Sequence, residues 1–177
     1  RKQALEQFLF TEASAPVYVM AAATHRFDPN KYPVTNRYRG LELPKHYYEV
    51  IDNLNGEEIE CARAIAHLDG VDFWVRNIER EPESSFWIQT ATDKFYPDFV
   101  CALKGGKYLA VEYKGTHLDN PDTTEKERLG DLWAARSGGT CHFLMIRGPS
   151  QISRIEDTVK RVTQDVCSAS TGSGSSM

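Results

Sequence analysis

The sequence predicts a single α/β domain with a mixed central sheet flanked by helices. Three observations carry this expectation. Apolar residues recur at helical spacing over residues 57–68, 122–136 and 152–166, while runs rich in aromatic and β-branched residues fall at 71–76, 86–92, 99–103, 108–113 and 141–146. Gly105-Gly106 stands between two of those runs, as in a hairpin. The resulting order, helix, strands, hairpin, helix, strand, helix, is that of a sheet covered on both faces.

In chain order, residues 1–10 read as a helix and 15–23 (APVYVMAAA) as a strand or a helix, which periodicity does not separate. Asp28-Pro29-Asn30 and Tyr32-Pro33 mark loops. Residues 1–55 are therefore read as a segment connecting to an upstream region. Over 57–68, Cys61, Ala62, Ile65 and Leu68 form one helix face, and Gly70 stops the helix. Residues 71–76 (VDFWVR) and 86–92 (FWIQTAT) are strands separated by a charged loop. Strands 99–103 and 108–113 form the hairpin. Leu129, Leu132, Trp133 and Arg136 set the face of the second helix. The apolar run 141–146 (CHFLMI) suits a strand buried on both sides. Residues 168–177, almost all Ser, Gly, Thr and Ala, are expected to be a disordered tail, which leaves 56–167 as the domain proper.

At 177 residues with 41% hydrophobic and 26% charged side chains, the chain can bury one real core. No apolar run approaches the ~20 residues that cross a bilayer, and the first residues do not form a secretory signal. Four scattered cysteines without a CxxC pair fit a reducing cytoplasm. The chain starts without Met and is read as a piece of something longer. A net charge of −4 argues against a domain that grips nucleic acid by bulk charge alone.

Two short pieces carry candidate chemistry. Asp98, in Tyr96-Pro97-Asp98-Phe99, sits at the entrance of one hairpin strand. Glu112 and Lys114, in Val111-Glu112-Tyr113-Lys114-Gly115, end the other strand and share a face roughly 6.6 Å apart. Two carboxylates beside a lysine suit metal-assisted phosphodiester hydrolysis. A hard Mg²⁺ ion takes oxygen ligands, polarises the phosphate and acidifies the attacking water, and the lysine positions that water or stabilises developing charge.

Pro97-Asp98, a one-hairpin gap and Glu112-Tyr113-Lys114 resemble the PD-(D/E)XK nuclease signature. The runs VDFWVRNIERE, KFYPDFVCAL, LAVEYKG and EKERLGDLW resemble the C-terminal nuclease region of type III restriction endonuclease and helicase-type proteins, over about residues 40 to 147. The resemblance implies a restriction-endonuclease-like core and a Mg²⁺-dependent DNA endonuclease, with Mn²⁺ as a substitute. Asp98, Glu112 and the Tyr113 carbonyl would hold the metal, and Lys114 would be the catalytic lysine. A glutamate on the first helix would join them: Glu57, Glu58 and Glu60 are candidates, and the helical wheel favours Glu58. Lys126 would touch a DNA phosphate. The implied partners are DNA, an upstream helicase or motor of the same polypeptide, and a methyltransferase or a second nuclease copy, with no membrane.

Bland readings stand beside these. Asp98 is also a good turn residue, Glu112 and Lys114 a surface ion pair, Glu58 a dipole-favoured first-turn acid, and Lys126 part of a solvated face. The competing function is a catalytically silent nuclease-like module that binds DNA or docks a protein. A two-carboxylate sugar hydrolase gives Lys114 no role. Geometry supplies a test. A two-residue Gly-Gly turn would set Asp98 opposite Tyr113 and turn it away from Glu112, so the site requires an odd-length loop or a bulge.

Overall fold

The computed structural model describes residues 26–40, 42–90, 93–115 and 121–169. The helix expected at 1–10 and the apolar run at 15–23 lie outside them. Helix α1 (Gly56–His67) starts on a capping box: the Asn55 side chain accepts from the Glu58 backbone, and Glu58 accepts from the Asn55 N–H. A four-stranded sheet follows, in the order β1 (Val71–Arg76), β4 (Phe99–Leu103), β5 (Lys107–Lys114), β6 (Cys141–Arg147). β1, β4 and β5 are antiparallel neighbours, and β6 lies parallel to β5 after the crossover helix α2 (Pro121–Arg136). Helix α3 (Ser153–Ala169) closes the chain.

Both faces of the sheet are covered. Phe99, Cys101, Leu109, Val111 and Ile146 pack with Cys61, Ala62 and Ile65 of α1 and Ile155, Val159 and Val162 of α3. On the other face Ala110 packs with Leu129 and Trp133 of α2 and with Phe86, Ile88 and Phe95. Gly130 lets α2 lie directly on β6, because a Cβ there would meet the Phe143 ring at 2.4 Å. Cys61, Cys101 and Cys141 are buried free thiols. Burial pushes Cys61 up to about 12 and Cys141 to about 11, so these two pack as apolar groups. No helix among the described residues is long and apolar enough to cross a membrane.

The structure corrects the sequence reading in three places. First, of the strand expected over 86–92, the described residues 86–90 form only β2 (Ile88–Gln89), paired with β3 (Lys94–Phe95) in a separate small sheet, and 91–92 lie outside the described residues. Side-chain chemistry ends it at both sides. Asn77 takes both the N–H and the carbonyl of Phe86, at 3.0 and 2.8 Å. At the other end Thr90 Oγ1 donates to the Asp93 carbonyl and accepts the Asp93 N–H. Second, α3 runs to Ala169, two residues into the expected tail, and residues 170–177 lie outside the described residues.

Third, the core does not begin at residue 56. Leu43, Ile51 and Leu54 are buried in the same cluster as α1 and the sheet, so part of the expected connecting segment belongs to the domain. This segment also covers the free edge of β1. Tyr47 N–H donates to the Trp74 carbonyl, Trp74 N–H donates to the Lys45 carbonyl, and the Trp74 indole donates to the Pro44 carbonyl. His46 tightens the junction: Nδ1 donates to the Tyr48 carbonyl at 2.8 Å, and Nε2 accepts the Arg76 N–H at 3.0 Å. Burial lowers the imidazole pKa to about 4, so the ring is neutral and its tautomer is set by these two partners.

Candidate active site

The hairpin turn sets the register. Gly105 and Gly106 both take left-handed φ, 83° and 72°, and the loop spans the three residues Lys104, Gly105 and Gly106, with Leu103 paired to Lys107. The ladder continues without a slip to Phe99 opposite Val111; Asp98 and Glu112 are the next residue on each strand, and the Asp98 carboxylate lies near enough to act on the Glu112 charge. The odd-length loop thus brings the two acids to one face, as the pairing argument required.

Asp98 is the residue at which β4 leaves the ladder. Its carbonyl accepts the Asn77 N–H at 2.9 Å, and its Oδ2 accepts the Tyr113 N–H at 2.7 Å in place of a strand carbonyl. Arg76, at the end of β1, donates from Nη1 to Asp98 Oδ1 at 2.9 Å and to the Asp98 carbonyl at 3.1 Å. Nη2 of the same guanidinium reaches Glu58 Oε1 at 3.3 Å. One planar cation therefore joins α1 to the entrance of β4.

Glu112 lies inside a strand that is otherwise apolar at that level, and only 3% of it is exposed. Oε1 meets Lys114 Nζ at 2.7 Å, while Oε2 is buried without a hydrogen-bond partner among the described residues. Burial first, then the Asp98 carboxylate, push the Glu112 pKa up to about 8, against the pull of Lys114 and Lys126. Burial opposes the charge on Lys114, but Glu112 outweighs it and raises the lysine pKa. A buried carboxylate oxygen facing a second carboxylate, with no donor on it, is the electrostatic shape of a cation site.

Glu58 falls where the wheel placed it, on the buried side of α1, with 14% of its side chain exposed against 54% for Glu60. Both its oxygens are taken, Oε2 by the Asn55 N–H at 3.0 Å and Oε1 by Arg76. It therefore reaches Asp98 through a guanidinium. Among the described residues no group of three or more His, Cys, Asp or Glu side chains is arranged to hold a metal ion. Asp98 likewise carries one hydrogen bond on each oxygen, from Arg76 and from the Tyr113 N–H, and would offer an ion its remaining lone pairs beside Glu112, whose Oε2 is free among the described residues. Two hard oxygen donors still fit a Mg²⁺ or Mn²⁺ ion, which characteristically keeps several waters. The Tyr113 side chain packs on the opposite face, which leaves only its main chain toward the acid pair.

Lys126 Nζ lies 3.0 Å from Asp122 Oδ2 and over the Phe95 ring, and its side chain is only 23% exposed, so it is not part of a solvated face. It lines a cleft of about 500 Å³ beside the first turns of α2, where Arg80 and Lys94 stand among Glu79, Asp93, Asp122 and Glu125. Arg147, opposite Lys114 on β6, is held by Glu127 through two 2.7 Å bonds. Sequence reasoning missed Arg76 and Asn77. The available signal was Arg-Asn ending the apolar run VDFWV, at the exit of a strand that pairs with the strand of Asp98. No family model, curated protein or solved structure matches the chain.

Proposed function

We propose that the domain is a Mg²⁺-dependent deoxyribonuclease of the PD-(D/E)XK kind, acting as the cytoplasmic cutting module of a larger helicase-coupled, restriction-type protein. The observation that carries this reading is the register of the hairpin, which sets Asp98 beside a buried Glu112 whose free oxygen has no donor and whose other oxygen is on Lys114.

Asp98 and Glu112 would hold the ion, with the Tyr113 carbonyl as a third oxygen. A bound Mg²⁺ supplies Lewis-acid polarisation of the phosphate and a more acidic water. The protein's own groups do the rest. Arg76 and the Tyr113 N–H fix both oxygens of Asp98, so the carboxylate is oriented before substrate arrives. Glu112 keeps Lys114 cationic at the end of β5, where the ammonium orients the attacking water or meets charge developing on the phosphate. Glu58 acts through Arg76. Lys126, at the cleft wall, would leave Asp122 to meet a backbone phosphate. The upstream motor would supply much of the grip on DNA, in keeping with the acidic net charge.

A second reading has its own observation. Each acid already has a cation of the protein on it, Arg76 on Asp98 and Lys114 on Glu112, which is what a silent nuclease-like docking module would show. Nicking of supercoiled plasmid separates the two. With Mn²⁺ or Mg²⁺ the protein is expected to nick, and Asp98→Ala and Lys114→Ala are each expected to lower the rate at least about a hundredfold. Nicking that survives both substitutions contradicts the site, and no nicking by any version favours the docking module.

A further inference from the structure

We propose that Tyr32 and His46 are positioning residues of the acid pair, acting on Asp98 through the backbone of Arg76. Their effect on cleavage rests on the nuclease reading; their hold on Arg76 does not. Alternate residues of an antiparallel strand turn their N–H and C=O to the same side, so Trp74 and Arg76 both present theirs to the side away from β4. At Trp74 those groups are met by backbone, the Lys45 carbonyl and the Tyr47 N–H, in an isolated bridge. Two residues on, at Arg76, side chains take over. The N–H donates to His46 Nε2 at 3.0 Å, and the carbonyl accepts the Tyr32 hydroxyl at 2.9 Å.

Both side chains are held in the form this clamp needs. The Arg76 N–H can only donate, so His46 Nε2 carries no proton, and Nδ1 donates its own to the Tyr48 carbonyl at 2.8 Å. The Tyr32 hydroxyl donates to Arg76 and accepts the Asp52 N–H at 3.2 Å. Burial raises its pKa, so the phenol keeps the proton it donates. The Tyr32 ring stacks on Tyr48 at 4.2 Å, and the His46 ring stands edge-on to Trp74 at 4.6 Å.

What the clamp holds is the root of the guanidinium that orients Asp98. The head of the Arg76 side chain is on Asp98 Oδ1 and on the Asp98 carbonyl, with the Phe99 ring 5.5 Å below it. A long side chain anchored at its head alone still pivots about its backbone. Anchored at both ends it keeps one placement, and the carboxylate it carries keeps one as well.

The test uses metal-free, ¹⁵N-labelled protein and follows the amide signal of Tyr113, whose N–H lies 2.7 Å from Asp98 Oδ2. Asp98→Asn shows where that signal goes when the carboxylate is lost. Tyr32→Phe removes one hydroxyl and keeps the ring stack. His46→Leu removes the acceptor, and His46→Gln returns one near the place of Nε2. Tyr48→Phe is the control, since it deletes a hydroxyl bond to the Asp28 carbonyl at 3.0 Å in the same aromatic cluster without touching Arg76. The same preparations are assayed for plasmid nicking with Mn²⁺.

Tyr32→Phe and His46→Leu are expected to move the Tyr113 signal toward its Asp98→Asn position and to lower kcat for nicking about tenfold at unchanged KM. His46→Gln should recover most of both, and Tyr48→Phe should change neither. Should His46→Leu fail to fold, Tyr32→Phe carries the test. The proposal is overturned if the Tyr113 signal stays in place in the clamp variants, if Tyr48→Phe moves it as far, or if kcat is unchanged in a protein that nicks. A moved Tyr113 signal in a protein that nicks nothing upholds the clamp on Asp98 and overturns the nuclease reading instead.

Discussion

Arg76→Leu is expected to cost about 3–5 kcal/mol of folding stability, the largest effect of any single substitution at the site, because it leaves buried Asp98 and half-buried Glu58 without their cation. Glu58, Asp98 and Arg76 have side chains only 14%, 11% and 15% exposed, so water does not replace the guanidinium. At about 2–4 °C per kcal/mol for a domain of this size, the melting temperature should fall by roughly 10 °C. Arg76→Lys keeps the charge but not the fork that reaches Glu58 and Asp98 together, and should fall between. The diagnostic is non-additivity. Adding Glu58→Gln and Asp98→Asn to Arg76→Leu removes the stranded charges, and the triple variant should recover part of the loss. A loss below about 1 kcal/mol for Arg76→Leu, in the range of exposed ion pairs, would show that the bridge is solvated and does not organise Asp98.

Glu112→Gln is expected to do the reverse: it should stabilise the metal-free protein while abolishing cleavage. The carboxyl has a folded pKa of about 8, raised from an ordinary value of 4.5 by burial and by Asp98. A raised pKa contributes stability that is fully present below 4.5, where both states are protonated. That contribution is lost as pH rises from 4.5 through 8, because the unfolded chain releases its proton first. The Gln side chain is neutral throughout and escapes this loss. Chemical denaturation at pH 5 and pH 8 should show little difference from the wild type at the first and a gain of roughly 2–4 kcal/mol at the second. Such a gain on removing a functional group marks a site held at the expense of stability. A variant that is destabilised equally at both pH values would mean that Glu112 is a structural partner of Lys114 and nothing more.

Much of this arrangement was legible in the sequence where the signal is local. The run VDFWVR forms a strand at the residues its composition marks, and counting the hairpin register was enough to demand the odd-length loop that the Gly105-Gly106 turn forms. The wheel also separated half-buried Glu58 from exposed Glu60. What was not legible depends on distant pairing. Arg76 meets Glu58 and Asp98, 18 and 22 residues away, and no periodicity links them. The shortened β2 follows from Asn77 capturing the Phe86 backbone nine residues on, which overrides the strand preference of FWIQTAT. Leu43, Ile51 and Leu54 reach the core from irregular backbone, where neither a period of 2 nor of 3.6 announces burial.

Titration of the metal-free protein with Mn²⁺, followed by calorimetry, tests most directly whether Asp98 and Glu112 together hold a divalent cation. It needs no DNA and no motor. The wild type is expected to bind Mn²⁺, with Asp98→Asn and Glu112→Gln each weakening the affinity about tenfold or more. A wild type that binds no Mn²⁺, or variants that bind it as tightly, would contradict the account.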